Sequence, residues 1–428
     1  MIQKPKGTND VIGGGANIYL ENLFQALMDR YSYEYIRTPI FEASELFHRG
    51  VGETTDIVTK ETYDFVDRGN RKMTLRPEGT AGVVRSYIEN KIYGNPSIPF
   101  KCWYYGPMFR YERPQSGRFR EHYQFGVEIF GSDDPLVDAE VISIPVNIYK
   151  ILGLKGVKVN INSLGDEESR NNYRNALKKY FKPHLKELCE DCRNRFDKNP
   201  LRILDCKVDV NKKAIKTAPI ILDYLNKDSK LHFEKVQDYL TAMNIEYHIK
   251  PNIVRGLDYY THTVFEVEAD IEGFGSQNVL CGGGRYDGLV KSLDGPDTSG
   301  VGFALGMERL ITALELSGIK FEDIGIDAYV VPLEEADKKI ALALTNDLRL
   351  NGFIIDMDYM SRNLKSNFKQ ADRLKAKFII IIGEEEIKNG TLKVKCNKTK
   401  KEEVIEFKEI MVYLHEKLSG CDCGECKH

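Results

Sequence analysis

Apolar residues recur at helical spacing near the start of the chain, at Leu20, Leu23, Phe24, Leu27 and Tyr31, and predict an amphipathic helix over residues 17–31. Shorter, β-rich runs follow. Residues 35–40 read as a strand, and Pro39, which cannot donate to a ladder, puts that strand at an edge or an interface. Further strand-like runs cover Tyr63–Val66, Lys72–Leu75, Phe100–Phe109 and residues 119–129. Their short connections favour an antiparallel sheet over alternating strand–helix–strand units.

The texture changes over residues 166–250, where charged, helix-favouring sequence dominates, with helices expected at 167–180 and 229–243. Strand signals return at Val254, 263–267 and 279–281, so the stretch reads as a helical insertion within one sheet domain. A third unit begins near Asp327. Strands at 328–331, 353–356 and 378–382 alternate with helices marked by Ile340, Leu344 and Leu348 and by Leu364, Phe368 and Ala371. That alternation implies a small α/β domain. The expected organisation is a sheet domain at 1–325, a hinge within 314–325, an α/β domain at 326–418 and a cysteine-rich tail at 419–428.

At 428 residues the chain is too long for one ordinary core. Hydrophobic residues at 42% and charged residues at 29% read as soluble and globular. A net charge of −3 excludes a global basic field, so a nucleic-acid partner would have to be held by local patches. The N-terminus lacks the apolar core and cleavage site of a signal peptide, and runs such as Phe378–Ile382 fall short of a membrane span; no membrane association and a cytoplasmic location are expected. Nine cysteines in such a chain argue against a disulfide framework.

Arginine-bearing segments carry the candidate chemistry. The first runs Phe109-Arg110-Tyr111-Glu112-Arg113-Pro114-Gln115, then reaches Arg118 through a glycine-bearing loop. Arginine's planar donor fork suits phosphate oxygens, although Arg110 and Glu112 on one strand face could equally form a structural ion pair. The second runs Gly300-Val301-Gly302-Phe303-Ala304-Leu305-Gly306-Met307-Glu308-Arg309: small residues on a strand, then a helix. These would let a flat ligand approach the backbone, or serve only strand–helix packing.

In this order and at this separation, the two segments resemble motifs 2 and 3 of class II aminoacyl-tRNA synthetases, and the helix and strand ending at Pro39 resemble motif 1. Residues 75–82, LRPEGTAG, resemble the amino-acid-binding loop of histidyl-tRNA synthetases. RGLDYY at 255–260 and GGGRYDGL at 282–289 resemble that family's two histidine-specific motifs, and KGTND at 6–10 its N-terminal signature. RGLDYY is the most specific of these; the glycine-rich segment alone could also be read as a phosphate loop.

The resemblance implies an α+β fold: a class II antiparallel sheet flanked by helices, with the helical insertion and a C-terminal α/β anticodon-binding domain. It implies histidine–tRNA ligase activity, with L-histidine, ATP with Mg²⁺, and tRNA(His) as partners, and a homodimer built through motif 1. Arg110 would contact the α-phosphate, Arg118 and Arg309 the β/γ end. Arg255 would sit where the substrate carboxylate meets the α-phosphate, and Arg255 and Arg110 would be the catalytic pair. Glu78, Gly79, Thr80 and Gln124 would bind the amino and carboxylate ends of histidine; Glu128, Tyr259 and Tyr260 would surround its imidazole. An acceptor and a phenol can satisfy both ring nitrogens. Phe125 and the motif 3 glycines would wall the adenine. Arg113, Gln115 and Arg120 flank the loop that would meet the acceptor end of tRNA, and His122 would be structural or RNA-facing.

In the C-terminal unit, Lys365 and Lys369 share a helical face with Arg373 and could meet phosphates, or could simply be solvated. Cys421, Cys423, Cys426 and His428 could supply a Zn²⁺ tetrahedron, alone or with Cys189 and Cys192; the plainer reading is a thiol-rich tail without metal. The main rival reading is a non-catalytic paralogue that regulates ATP phosphoribosyltransferase, but such paralogues typically lack the anticodon domain and erode RGLDYY.

Overall fold

The computed structural model describes residues 1–419 apart from 53, 54, 56, 115, 116, 207, 254–256, 276, 277 and 322–324. The chain divides into two compact units, Met1–Phe321 and Glu322–His428. Among the described residues no helix is long and apolar enough to cross a membrane.

Among the described residues the first unit carries eleven strands: β1 (Glu34–Tyr35), β2 (Phe41–Ala43), β3 (Tyr63–Val66), β4 (Lys72–Leu75), β5 (Phe100–Phe109), β6 (Glu121–Phe130), β7 (Val157–Ser163), β8 (Tyr247–Ile249), β9 (Thr261–Ala269), β10 (Val279–Arg285) and β11 (Gly300–Gly306). Eight of them form one sheet in the order β1-β5-β6-β11-β10-β9-β7-β8. Its centre is antiparallel, and the two edge pairs, β1 with β5 and β7 with β8, are parallel. The strand expected at 35–40 is cut short at Tyr35. It does lie at the edge, as Pro39 requires, and the chain resumes pairing only at β2.

Strand alternation gives the sheet two different faces. Phe125, Val127, Ile129, Val301, Phe303 and Leu305 face one side and join a core with Leu20, Phe24, Leu27 and Met28 of helix Gly15–Tyr31. Full burial of each such side chain is worth about 1.5–3 kcal/mol. Helices Pro135–Ile151, Lys227–Ala242 and Met307–Leu316 complete that layer. The first of them is started by Asp134, whose carboxylate accepts from Leu136 N at 2.9 Å, with Pro135 in its first turn.

The other face carries Cys102, Tyr104, Met108, Phe130 and Val264. It shares a second core with Val83, Val84 and Tyr87 of helix Thr80–Glu89 and with residues of the insertion such as Tyr173, Phe181 and Ile203. The helical stretch expected over 166–250 closes with a strand, because β8 returns to pair with β7. Its last helix, Lys227–Ala242, packs in the opposite layer, so only the segment before it covers the second core. Beside the large sheet, β2, β4 and β3 form a three-stranded sheet.

The second unit is a five-stranded mixed sheet in the order β13-β12-β14-β15-β16, with β12 (Ala328–Pro332), β13 (Ile355–Met357), β14 (Phe378–Ile382), β15 (Thr391–Cys396) and β16 (Glu402–Glu406). β12 and β14 are buried along their whole length, which is why they read as continuous apolar runs. The antiparallel β15–β16 hairpin and helix Ile410–Ser419 carry weaker patterns and were not expected from the sequence.

Candidate active site

The site face of β11 is bare. Gly300, Gly302, Ala304 and Gly306 alternate with the core-facing Val301, Phe303 and Leu305. The space they leave is filled from the neighbouring strand. A methyl on Gly302 would run into the Glu128 carboxylate and the Val127 carbonyl; one on Gly300 would run into the Tyr286 ring. Gly79 and Gly126 sandwich Tyr104 in the same way. The glycines are there because side chains from elsewhere lie against the backbone.

Glu128 is almost fully buried at 1% exposure. Thr80 Oγ1 donates to its Oε1 at 2.7 Å, and the Tyr286 hydroxyl donates to Oε2 through a very short contact. Burial raises its pKa to about 8, and the two hydroxyls only partly offset this. Glu78 holds the start of helix Thr80–Glu89, accepting from Thr80 N at 2.7 Å and Ala81 N at 2.9 Å. Burial pushes its pKa up, against those amide bonds and the Arg110 charge. Tyr259 packs on Tyr260, centroids 4.7 Å apart, and edge-on to Tyr286 at 5.5 Å. Its hydroxyl pKa is raised by burial first, then by Tyr260, Glu78 and Glu128.

Among the described residues, the buried Gln124 Oε1 has no hydrogen-bond partner. An unpaired buried polar group is costly, and here it marks a place for a polar ligand. Gln124, Gly126 and Glu128 alternate along β6 and so share the site face. Phe125 does not. It is fully buried in the opposite core, stacked on Phe24 at 4.3 Å, and cannot wall an adenine. The alternation of β6 decides this.

Next to this network the cations gather. Arg110 Nε donates to Pro77 O at 2.8 Å, fastening the motif 2 strand to the loop that carries Glu78. Arg118 pairs with Glu112 at 3.0 Å, whereas Arg110 stands 4.0 Å from that carboxylate. The structural ion pair considered for Arg110 is therefore weak. Burial and the neighbouring Arg118 charge lower the Arg309 pKa to about 10. Burial, Arg110 and Arg118 together hold His122 down at about 3. Cations held against one another are a site built for an anion. Arg120 stacks over Tyr111 at 3.8 Å, its backbone N donates to Gly7 O at 2.7 Å, and Arg113 is exposed. The Lys6–Asp10 segment is thereby tied to the motif 2 loop.

Arg255 and Gln115 lie outside the described residues, as do Cys421, Cys423, Cys426 and His428. Lys365 and Lys369 sit exposed on helix Leu364–Arg373 of the second unit, with no ion pair among the described residues. The glycine-rich segment is no phosphate loop. Gly282, Gly283 and Gly284 lie inside β10, and Arg285 is buried in an ion pair with Asp138 across the helix layer. Two site residues were not singled out from the sequence. Tyr286 follows a register shift at Arg285 that hides its direction. Arg76 is buried, donating to Thr38 O at 3.0 Å and Pro107 O at 2.9 Å, with nothing in the pattern to distinguish it from a surface arginine.

A cleft of about 960 Å³ lies near Tyr105, Glu121 and Tyr123, which alternate with the site-face residues. Asp10, Glu21, Glu121, Glu308 and Glu315 line it, a poor environment for a polyphosphate.

The family model described as histidyl-tRNA synthetase matches residues 17–310, and one described as anticodon binding domain matches 327–417. A histidine–tRNA ligase of Geobacillus sp. (strain WCH70) is 52% identical over 98% of this chain and 100% of its own. One from Anoxybacillus flavithermus is 54% identical over 92% of this chain and 94% of its own. The crystal structure of apo S. aureus histidyl-tRNA synthetase superposes with a TM-score of 0.84 at 45% identity, covering 97% of this chain and all of that one. With the family model spanning well over half of its length, this chain belongs to the histidyl-tRNA synthetase family.

Proposed function

We propose that this protein is a histidine–tRNA ligase, which activates L-histidine with ATP and transfers it to tRNA(His). The observation that carries the reading is the buried Thr80–Glu128–Tyr286 network beside the Arg110–Arg118–Arg309 cluster, in a chain so similar to named histidine–tRNA ligases. The histidine carboxylate attacks the α-phosphorus of ATP, and pyrophosphate leaves. Both reactants are anionic, so fixed cations must offset the charge that develops at phosphorus. Arg110 serves the α-phosphate, and Arg118 with Arg309 the outer phosphates, which arrive with Mg²⁺. Arg255 bridges the substrate carboxylate and α-phosphate. Gln124 Oε1, unpaired among the described residues, accepts from the substrate ammonium together with Glu78. Glu128, already held by two hydroxyls, takes an imidazole N–H, with Tyr259 and Tyr260 around the ring. In the second step a terminal ribose hydroxyl of tRNA attacks the adenylate and AMP leaves. Arg113, Gln115 and Arg120 meet the acceptor end of the tRNA; Lys365 and Lys369 meet its anticodon region.

Histidine-dependent ATP–pyrophosphate exchange and charging of tRNA(His) test this reading. A folded protein without exchange refutes it, and an Arg255→Ala variant with undiminished exchange refutes the role of Arg255.

The protein acts as a homodimer. The small β2-β4-β3 sheet is turned inside out: Thr74 is fully buried on one face, bonded to Ser44 at 2.8 Å, while Phe41 and Phe65 are 53% and 41% exposed on the other. An apolar sheet face left in water calls for a partner. Sedimentation at micromolar concentration should give twice the chain mass; a monomer there refutes this assignment.

A further inference from the structure

The helical insertion holds a cluster that the reaction does not use. Cys189, Cys192, Cys206 and Asp209 come together with one ligand atom each, all within 4.8 Å of one another. The spacing is doubly regular: Cys189-x-x-Cys192 and Cys206-x-x-Asp209 are two pairs of the same spacing, with thirteen residues between them. Ligand pairs spaced in this way are how structural zinc sites are made.

We propose that these four residues form a closed tetrahedral Zn²⁺ site. Zinc–sulfur bonds of ~2.3 Å place neighbouring sulfurs about 3.8 Å apart in a tetrahedron. Cys189 Sγ and Cys206 Sγ are 3.6 Å apart, close to that edge and far beyond the ~2.05 Å of a disulfide. Backbone amides are already aimed at the sulfurs. Asp209 N donates to Cys206 Sγ at 3.4 Å, and the Cys192 amide faces the Cys189 sulfur. Such amides stabilise thiolates, the form that binds metal. Asp209 is fully buried. Its Oδ2 accepts from Cys189 N at 2.8 Å and Lys212 Nζ lies 2.7 Å from Oδ1, so the carboxylate is oriented and part of the site's negative charge is offset. With four protein ligands there is no open position for chemistry, so the site is structural.

Its purpose is legible in what lies between the two pairs. Asn199 Nδ2 donates to Asp258 Oδ1 at 3.1 Å, and Arg202 Nε stands 3.9 Å from the same oxygen. Asp258 immediately precedes Tyr259 and Tyr260. The metal fixes the insertion turn that grips the histidine-recognition segment.

The test is the zinc content of the full chain, purified under reducing conditions without a metal-affinity step and passed over gel filtration. About one zinc per chain is expected. Cys421→Ser/Cys423→Ser/Cys426→Ser should retain it, which separates this site from the tail, and Cys192→Ser or Cys206→Ser should lose it. Should a cysteine variant fail to fold, Co²⁺ loaded into the tail triple variant carries the test, through the ligand-field and sulfur charge-transfer bands of a tetrahedral thiolate site. No metal above trace after zinc loading, a Cys189–Cys206 disulfide, or loss of metal in the tail variant would each overturn the proposal. Metal removal should also raise the histidine KM several-fold while leaving that for ATP unchanged. That readout rests on the proposed histidine site, whereas metal content does not, so the two can fail separately.

Discussion

Gly302→Ala adds one methyl group at a place where the structure leaves none. The new carbon would sit 2.7 Å from Glu128 Cδ and closer still to its Oε2 and to Val127 O. A flexible side chain could swing away, but a strand carbonyl cannot. Overpacking of this kind costs about 1–3 kcal/mol. Displacing the Glu128 carboxyl also strips the Thr80 and Tyr286 hydroxyls of their acceptor, a further ~1–3 kcal/mol for buried groups left unpaired. The sum, about 2–6 kcal/mol, should appear as a lower urea midpoint. If about 1.4 kcal/mol of it falls on substrate binding, the histidine KM in pyrophosphate exchange rises tenfold. The ATP KM should move little. A Gly302→Ala/Glu128→Ala pair should be less destabilised than the sum of the singles, by ~1 kcal/mol or more, because one clash has been removed. An unchanged urea midpoint and histidine KM in the single variant would refute the claim that Glu128 occupies the space Gly302 leaves.

Glu128 also sets a pH dependence. Its folded pKa of about 8 lies above an ordinary carboxyl, so its neutral form favours the fold, and stability falls as pH rises between the two values. From pH ~6 to ~8 the loss is about 2 kcal/mol, read as a falling urea midpoint that Glu128→Gln should flatten. His122, held at about 3, should show no imidazole titration by NMR through neutral pH, and bound nucleotide should raise its pKa by bringing phosphate near. Asn199→Ala removes one hold on the Asp258 carboxylate and should raise the histidine KM several-fold with no change for ATP. Lys365→Glu/Lys369→Glu should raise the tRNA KM and flatten its salt dependence; no change in either would return those lysines to an ordinary solvated face.

Much of this was legible in the chain, for identifiable reasons. β5 and β14 kept their expected ends, because long aromatic or apolar runs bounded by turn residues have one reading. Glu78, Thr80 and Glu128 could be named from their motifs, but their convergence on one hydrogen-bonded network depends on β6 and the start of a helix meeting across the sheet. Phe125 was misplaced because a motif does not say which way a strand faces, whereas the alternation of its neighbours does. Tyr286 was hidden by the register shift before it. Cys206 and Asp209 looked unremarkable beside the obvious Cys189-x-x-Cys192 pair, since their partnership exists only once the insertion folds back on itself.

The inverted β2-β4-β3 sheet has a consequence for behaviour in dilute solution. A face that carries Phe41 and Phe65 outward while Thr74 is sealed inside cannot be equally content alone and in company. Strand β4 runs directly into Arg76, Glu78 and Thr80, so loosening that sheet loosens the amino-acid loop. Specific activity should therefore not be constant on dilution. With the homodimer proposed above, it should fall on dilution and recover on concentration, making protein concentration itself a control on the site.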